Sequence, residues 1–193
     1  LEKIKNIANF EKTINKKSIE SKEILIKAKQ LGFSDQRIAT LAGKVEKEIR
    51  TQREKQNIHP SVKQIDTLAA EYPAQTNYLY LTYNADSDDT QKPISTQTPT
   101  EDKLSVPGHG PYRIGSSVEF DWCCVTCAQT AAQNGYSPII VNCNPETVST
   151  DFDMAKRLYF DEISTESVLE IYRKENPKGI VVSMGGQTPN NLV

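Results

Sequence analysis

The chain has 193 residues, 37% of them hydrophobic and 25% charged, with a formal net charge of −2, a composition that excludes a disordered, fibrous or collagen-like protein. It holds no run of about 18 apolar residues, which excludes a membrane-spanning helix, and its first residues lack the layout of a signal peptide. The charge is unevenly placed: residues 1–85 carry 15 Lys and Arg against 10 Asp and Glu, and residues 86–193 carry 8 against 15, which predicts two segments with different surfaces.

The chain opens on Leu1 and stops at Val193 and reads as a piece of a longer protein. Residues 19–31 have an apolar stripe of Ile24, Leu25, Ala28 and Leu31 at helical spacing, stopped by Gly32. Ser34 is placed to cap a short helix through Ala42, which Gly43 closes. A charged helix over residues 45–56 turns Val45 and Ile49 inward. Residues 67–71 read as a short helical piece and residues 78–83 as a strand. The polar, turn-rich residues 84–103, "NADSDDTQKPISTQTPTEDK", read as a linker.

From residue 104 the pattern changes. A short strand at 104–106 runs into the glycine-rich "GHGPYRIGSS", followed by a helix over 118–134 ending at Gly135. "PIIVN" is a buried strand at 138–142, "LYF" a short one at 158–160, and Ser164 caps a helix to Asn176. "GIVVSM" (179–184) is the last strand. Strands alternating with helices at this spacing imply an α/β fold: a helical N-terminal segment, then a parallel βαβ-type sheet, incomplete within this chain. Ligands of such sheets sit outside the carboxyl ends of the strands. The glycine loop, "NCNPETVSTDFD" and "GGQTPNN" all follow strands and should meet on that edge.

The glycine loop suits an anion by its backbone N–H groups and the helix start behind it. It is not a dinucleotide fingerprint, because Gly115 comes too late and the acidic residue that should follow is misplaced. Arg113 is placed to hold an oxyanion or lock a neighbouring loop. Glu119 and Asp121, in the first helical turn, are open to a functional role or to simple helix-start electrostatics. Asn144, Glu146 and Thr147 belong to a polar loop directly after a buried strand and are candidates on the same edge, as is Gln187. The expectation is one side-chain network of Arg113, Glu146, Thr147 and Gln187, with Glu146 the partner of Arg113.

Cys123, Cys124, Cys127 and Cys143 fall in one window, and Cys124-Val-Thr-Cys127 has C-x-x-C spacing. His59 and His109 do not supply a second pair at zinc-site spacing. The run reads as the buried small-residue face of a helix with reduced thiols, in a reducing compartment. Residues 33–58 could be laid out as helix-turn-helix, but Arg50, Arg53 and Lys55 are interleaved with Glu46, Glu48 and Glu54, which argues against nucleic acid.

"GPYRIGSSVEFDWC", "VNCNPETVSTDFD", "RLYFDEIS" and "SMGGQTPNN" resemble, in order, the second synthetase half of carbamoyl-phosphate synthase. "HPSVKQIDTLAAEYPAQTNYLYLTY" resembles the segment before it, and the wording is of eukaryotic type. The resemblance covers about residue 31 to Val193. It implies a role in making carbamoyl phosphate from bicarbonate, ammonia, usually released from glutamine, and two ATP. This part would belong to the half that phosphorylates carbamate, in the service of pyrimidine, arginine or urea synthesis. It implies residues 1–85 in the oligomerisation region, 86–103 as linker and 104–193 in the domain that precedes the ATP-grasp lobes. ATP and magnesium would be bound outside this chain, which would bind no cofactor or metal and hold no catalytic residue of its own.

Gly115, Ser116 and Ser117 would be small beside a passage for unstable intermediates, with Arg113 and Glu119 near it. The implied partners are the remaining synthetase and glutaminase domains and further copies in a homo-oligomer, with no nucleic acid and no membrane. The implied compartment is the cytoplasm, or alternatively the mitochondrial matrix. Two features depart from the family: Pro107, which cannot donate to a sheet ladder, and His109, which stands where a small residue is usual. Residues 84–103 and the first twenty match poorly. A non-catalytic assembly module or relic that keeps the interdomain surfaces is the second reading.

Overall fold

The structure, a computed structural model, describes residues 1–73, 76–90, 102–114 and 117–193. The chain divides into two compact units, residues 1–61 with 82–86, and residues 62–81 with 87–193. The first differs from the expected 1–85 segment because residues 62–81 are drawn into the second unit, where strand pairing holds them. Most of the expected linker lies outside the described residues. Of the part that is described, Asp88 and Asp89 are anchored, Asp88 by Lys174 and the Val62 amide, Asp89 by Lys63 and the Gln64 amide.

The first unit is helical: α1 (Glu2–Glu11), α2 (Lys22–Gln30), α3 (Asp35–Ala42) and α4 (Glu46–Lys55). The expected helix over 19–31 is split, since Ser21 adopts an extended conformation and caps α2 by accepting the Ile24 N–H. Ser34 caps α3 through the Arg37 N–H at 3.1 Å, and Gly43 closes α3 in the left-handed region at φ 63°. Leu25, Ala28, Ile38, Ala39, Ala42 and Ile49 form the core of this unit.

An ionic cluster is buried beside that core. The Arg53 guanidinium donates from Nη2 to Asp35 Oδ2 at 2.9 Å and from Nε to both carboxylate oxygens at 3.1 and 3.2 Å, while Nη1 donates to the Ile58 carbonyl at 2.8 Å. Lys29 Nζ lies 3.2 Å from Asp35 Oδ1 and 5.1 Å from the centre of the Tyr83 ring. Asp35 and Arg53 are fully buried. The fork geometry of arginine satisfies several acceptors at once and makes such a burial tolerable.

In the second unit, six strands lie in the order β1-β2-β5-β4-β3-β6: β1 (Ser61–Gln64), β2 (Tyr78–Thr82), β3 (Lys103–Pro107), β4 (Ser137–Val141), β5 (Arg157–Tyr159) and β6 (Gly179–Ile180). The β2–β5, β5–β4, β4–β3 and β3–β6 pairs are all parallel. Two longer helices, α5 (Val118–Gln133) and α6 (Thr165–Glu175), pack on the sheet, and a short α7 (Gln187–Asn190) follows β6. All five residues of β4 are buried, as a central parallel strand requires.

Residues 67–71, expected to be helical, form a turn instead. The Asp66 carboxylate accepts the Leu68 and Ala70 N–H groups, and Ala69 and Ala70 take positive φ. β6 is shorter than the apolar run 179–184 suggested. Gly108 N–H donates to Val141 and Val181 N–H reaches Ser105, so by alternation the nitrogen of residue 107 faces β6. Proline offers no donor there, and the ladder stops at Ile180.

At the amino edge, buried Glu175 joins the end of α6 to two strand starts. Its carboxylate accepts from Lys103 Nζ at 2.7 Å, Arg157 Nη1 at 2.5 Å and the Tyr159 hydroxyl at 2.5 Å. Burial works to raise its pKa, but the hydrogen bonds from Lys103 and Tyr159 and the charge of Arg157 outweigh it and hold the carboxyl below its ordinary 4.5.

Asp35→Ala strips the counter-charge from two buried cations and is expected to lower stability by about 3–5 kcal/mol in denaturant unfolding. A loss under about 1 kcal/mol would contradict this reading of the cluster. Glu175 titrates with the opposite consequence for pH from a buried neutral acid. Its contribution is complete above pH 4.5, the unfolded value, and is lost as pH falls through the lower folded pKa. Glu175→Gln should therefore cost about 2 kcal/mol at pH 7, and the difference from wild type should shrink as pH falls below 4.5 through the lower folded pKa. Unfolding midpoints across pH 3–7 check this.

Candidate functional site

Because β3, β4, β5 and β6 run parallel, the loops that leave them emerge on one carboxyl edge. The glycine loop after β3, the polar loop after β4 and the "GGQT" turn after β6 touch one another there. Gly185 lies so close to the glycine loop that a Cβ would overlap the carbonyl oxygens of Gly108 and Pro107. Backbone-on-backbone contact of this kind admits only glycine. On the other side Gly108 lies against Asn142, with room for no side chain of its own.

Asn142, the first residue beyond β4, is fully buried. Its Oδ1 accepts the N–H groups of Gly110 at 3.2 Å and Asn144 at 3.4 Å, and its Nδ2 donates to Ser149 Oγ at 3.2 Å. One side-chain amide thus fastens the glycine loop to the loop after β4 and satisfies its own polar atoms. His109 and Asp121 form a second tie. The buried imidazole Nε2 is 3.5 Å from Asp121 Oδ1, and Asp121 accepts the Ser149 N–H. Burial pushes the His109 pKa down against the opposing pull of Asp121, so the ring is neutral at pH 7.

Tyr112 stacks on His109, ring centres 4.9 Å apart, and its hydroxyl pairs with Thr147 Oγ1 at 2.8 Å. Arg113 donates from Nη2 to Thr188 Oγ1 at 3.1 Å, joining the glycine loop to the start of α7. Between β5 and β2, Asp161 accepts the Leu81 N–H at 2.9 Å, and burial pushes its pKa up to about 7. On α5, burial raises the Cys124 thiol to about 12, and Cys127 is half-buried. Cys123 and Cys143 are exposed, so only part of the cysteine run faces inward.

Several expected residues do converge, by contacts other than those expected. Arg113 and Thr147 each help to link loops on the shared edge. Among the described residues Arg113 pairs with Thr188 and not with Glu146. The reason is local: Asn144 Oδ1 accepts the Glu146 N–H, and the Thr150 hydroxyl donates to the carbonyls of Asn144 and Thr147. That turn directs Thr147 inward and Glu146 to solvent. Gln187 is exposed at the start of α7. Glu119 is exposed and accepts from the Ser117 hydroxyl, which lowers its pKa. Gly115 and Ser116 lie outside the described residues.

The sequence reading placed Tyr112, Asn142, Ser149 and Thr188 in loops that meet on this edge but singled out none of them, and it weighed His109 only as a zinc ligand and as a departure. The available signal was Asn142 itself, an amide directly after an all-buried strand. Among the described residues, the donors gathered here are hydroxyls, amides and the Arg113 guanidinium, a set that orients anionic or neutral groups.

Two family models match the chain in succession: residues 1–57 match the oligomerisation domain of the carbamoyl-phosphate synthetase large chain, and residues 100–193 match the carbamoyl phosphate synthase preATP-grasp domain. Over its full length the chain is 51% identical to the mitochondrial carbamoyl-phosphate synthase [ammonia] of Mus musculus and 52% identical to the multifunctional protein CAD of Squalus acanthias. Over 89% of its length it is 55% identical to the mitochondrial arginine-specific carbamoyl phosphate synthase large chain of Schizosaccharomyces pombe. It spans 12%, 8% and 14% of these relatives. With consecutive domains of one enzyme matched in order and half of its residues shared with these synthases, the chain belongs to the carbamoyl-phosphate synthase family.

Proposed function

We propose that this chain is the junction segment of a longer carbamoyl-phosphate synthase, an ATP-dependent ligase that makes carbamoyl phosphate from bicarbonate, ammonia and two ATP. Its sheet unit forms one wall of the half that phosphorylates carbamate, and its helical unit takes part in assembly. The observation that carries this reading is the locked carboxyl edge, where the loops after β3, β4 and β6 are tied by Asn142, Tyr112 and Arg113.

Carboxyphosphate and carbamate decompose in water, so an enzyme that uses them must keep them from solvent and hand them on. A rigid loop edge with a buried polar lattice behind it serves as such a wall. Mobile loops would admit water. Within the wall, Tyr112 and Arg113 present a hydroxyl and a guanidinium at the exposed end of the glycine loop, where they orient an anionic group or an adjoining domain. Ser117 begins α5 on the same loop, and its small side chain leaves space for a passage alongside. ATP and magnesium, in this reading, are held by lobes outside this chain, where they supply phosphoryl transfer. The glutaminase domain, where the full protein has one, supplies the ammonia, and the compartment is the cytoplasm or the mitochondrial matrix.

Ser117→Phe in the full-length enzyme should leave bicarbonate-dependent ATP hydrolysis within about twofold of wild type while carbamoyl phosphate formed per ATP falls about tenfold or more. An unchanged yield per ATP would contradict the passage. The 193-residue chain alone should show no bicarbonate- or carbamate-dependent ATP turnover, and turnover above blank would contradict the placing of the nucleotide sites elsewhere.

A further inference from the structure

The two long helices of the sheet unit differ in a way that the folded segment does not explain. α6 carries Glu166, Glu170, Arg173, Lys174 and Glu175 within its 11 residues. α5 carries Glu119 and Asp121 in its first turn and then no charged residue from Trp122 to Gln133. Its inward face, Cys124, Val125, Ala128 and Ala131, is buried. Its outward face is not: Trp122 is 66% exposed and Cys123 is exposed as well. The other exposed positions of that face include Thr126, Gln129, Thr130 and Gln133, polar but uncharged, and an exposed tryptophan and cysteine on such a face mark an interaction surface.

The outward face of α5 forms one wall of a groove of about 680 Å³, lined by Leu104, Trp122, Cys127, Thr130, Tyr136 and Met184. The groove lies by the sheet edge formed by β6, which among the described residues pairs only with β3. Val181 and Val182, apolar residues suited to a strand interior, are only half-buried there.

We propose that this groove is an interdomain surface, covered in the full-length protein by an apolar face of another domain of the same polypeptide. The proposal rests on the reading of this chain as a segment of a longer synthase. Its curated relatives hold this stretch as 8–16% of single long chains, so further domains are tethered to the groove at high effective concentration. With no charged residue on the helix face, the groove offers nothing to nucleic acid or to an anionic surface and calls for an apolar complement. The assembly role falls on the other segment, since residues 1–57 match the oligomerisation domain, which leaves this face to contacts within one polypeptide.

Cys123 reports on the surface directly, because thiol alkylation follows exposure. The full-length protein and the 193-residue chain are treated with iodoacetamide, and the rate at Cys123 is read by mass spectrometry. The expected result is protection of about tenfold or more in the full-length protein. Thr126→Arg, which places a charge on the exposed face, should remove that protection while moving the thermal midpoint of the 193-residue chain by less than about 2 °C. Trp122→Ala should remove it in part.

Equal rates in the two proteins would overturn the proposal, as would protection unchanged by both substitutions. Protection in the 193-residue chain that rises with its concentration would assign the face to a second copy and overturn it equally. None of these readings depends on carbamoyl phosphate being made, so failure of the proposed activity is distinguishable from failure of this one.

Discussion

The buried amide of Asn142 is the constraint on which the arrangement of the carboxyl edge depends. A parallel sheet brings its loops to one edge but does not fix them to one another. Asn142 does, by accepting from Gly110 and Asn144 and donating to Ser149. It is buried where water cannot substitute for its partners, and each group left unsatisfied there would cost about 1–3 kcal/mol. The absence of a side chain at Gly108 is the other half of the same contact, since a Cβ there would strike the amide. His109, Asp121 and Tyr112 extend the lattice outward from it, and Arg113 carries it to Thr188.

The two edges of the sheet are therefore built differently. At the amino edge Glu175 uses charge, with Lys103, Arg157 and Tyr159 around one carboxylate. At the carboxyl edge the interior ties are mainly neutral amides and hydroxyls, and the one guanidinium, Arg113, is exposed. Charge that ties the end of α6 to the strand starts thus sits at the amino edge, away from the loops that meet at the carboxyl edge. The helical unit has its own centre in Asp35, with Arg53 and Lys29 converging on it.

The α/β alternation, the shared loop edge and the caps Ser34, Gly43 and Ser164 were legible in the sequence, because each is a local pattern of turn chemistry or apolar spacing. The relations that cross long stretches of chain were not. Arg53 read as one of several interleaved surface charges, and nothing periodic links it to Asp35 on another helix. Residues 67–71 had helical composition, but the Asp66 carboxylate captured two backbone N–H groups and made a turn. The Arg113–Glu146 pair was inferred from opposite charge and a shared edge. It failed because the Asn144 turn faces Glu146 outward, a detail set by backbone hydrogen bonds. The shortness of β6 followed from a proline in its neighbour, whose missing donor was noted without its direction.

The central claim is that one buried amide holds the carboxyl edge closed, and amide hydrogen exchange tests it most directly. In the wild type, the Gly110 and Ser149 amides should exchange slowly, at rates near those of β4. Asn142→Ala should raise both rates by about tenfold or more while leaving the helical unit around Asp35 unchanged. Fast exchange at Gly110 in the wild type, or rates indifferent to the substitution, would contradict the account.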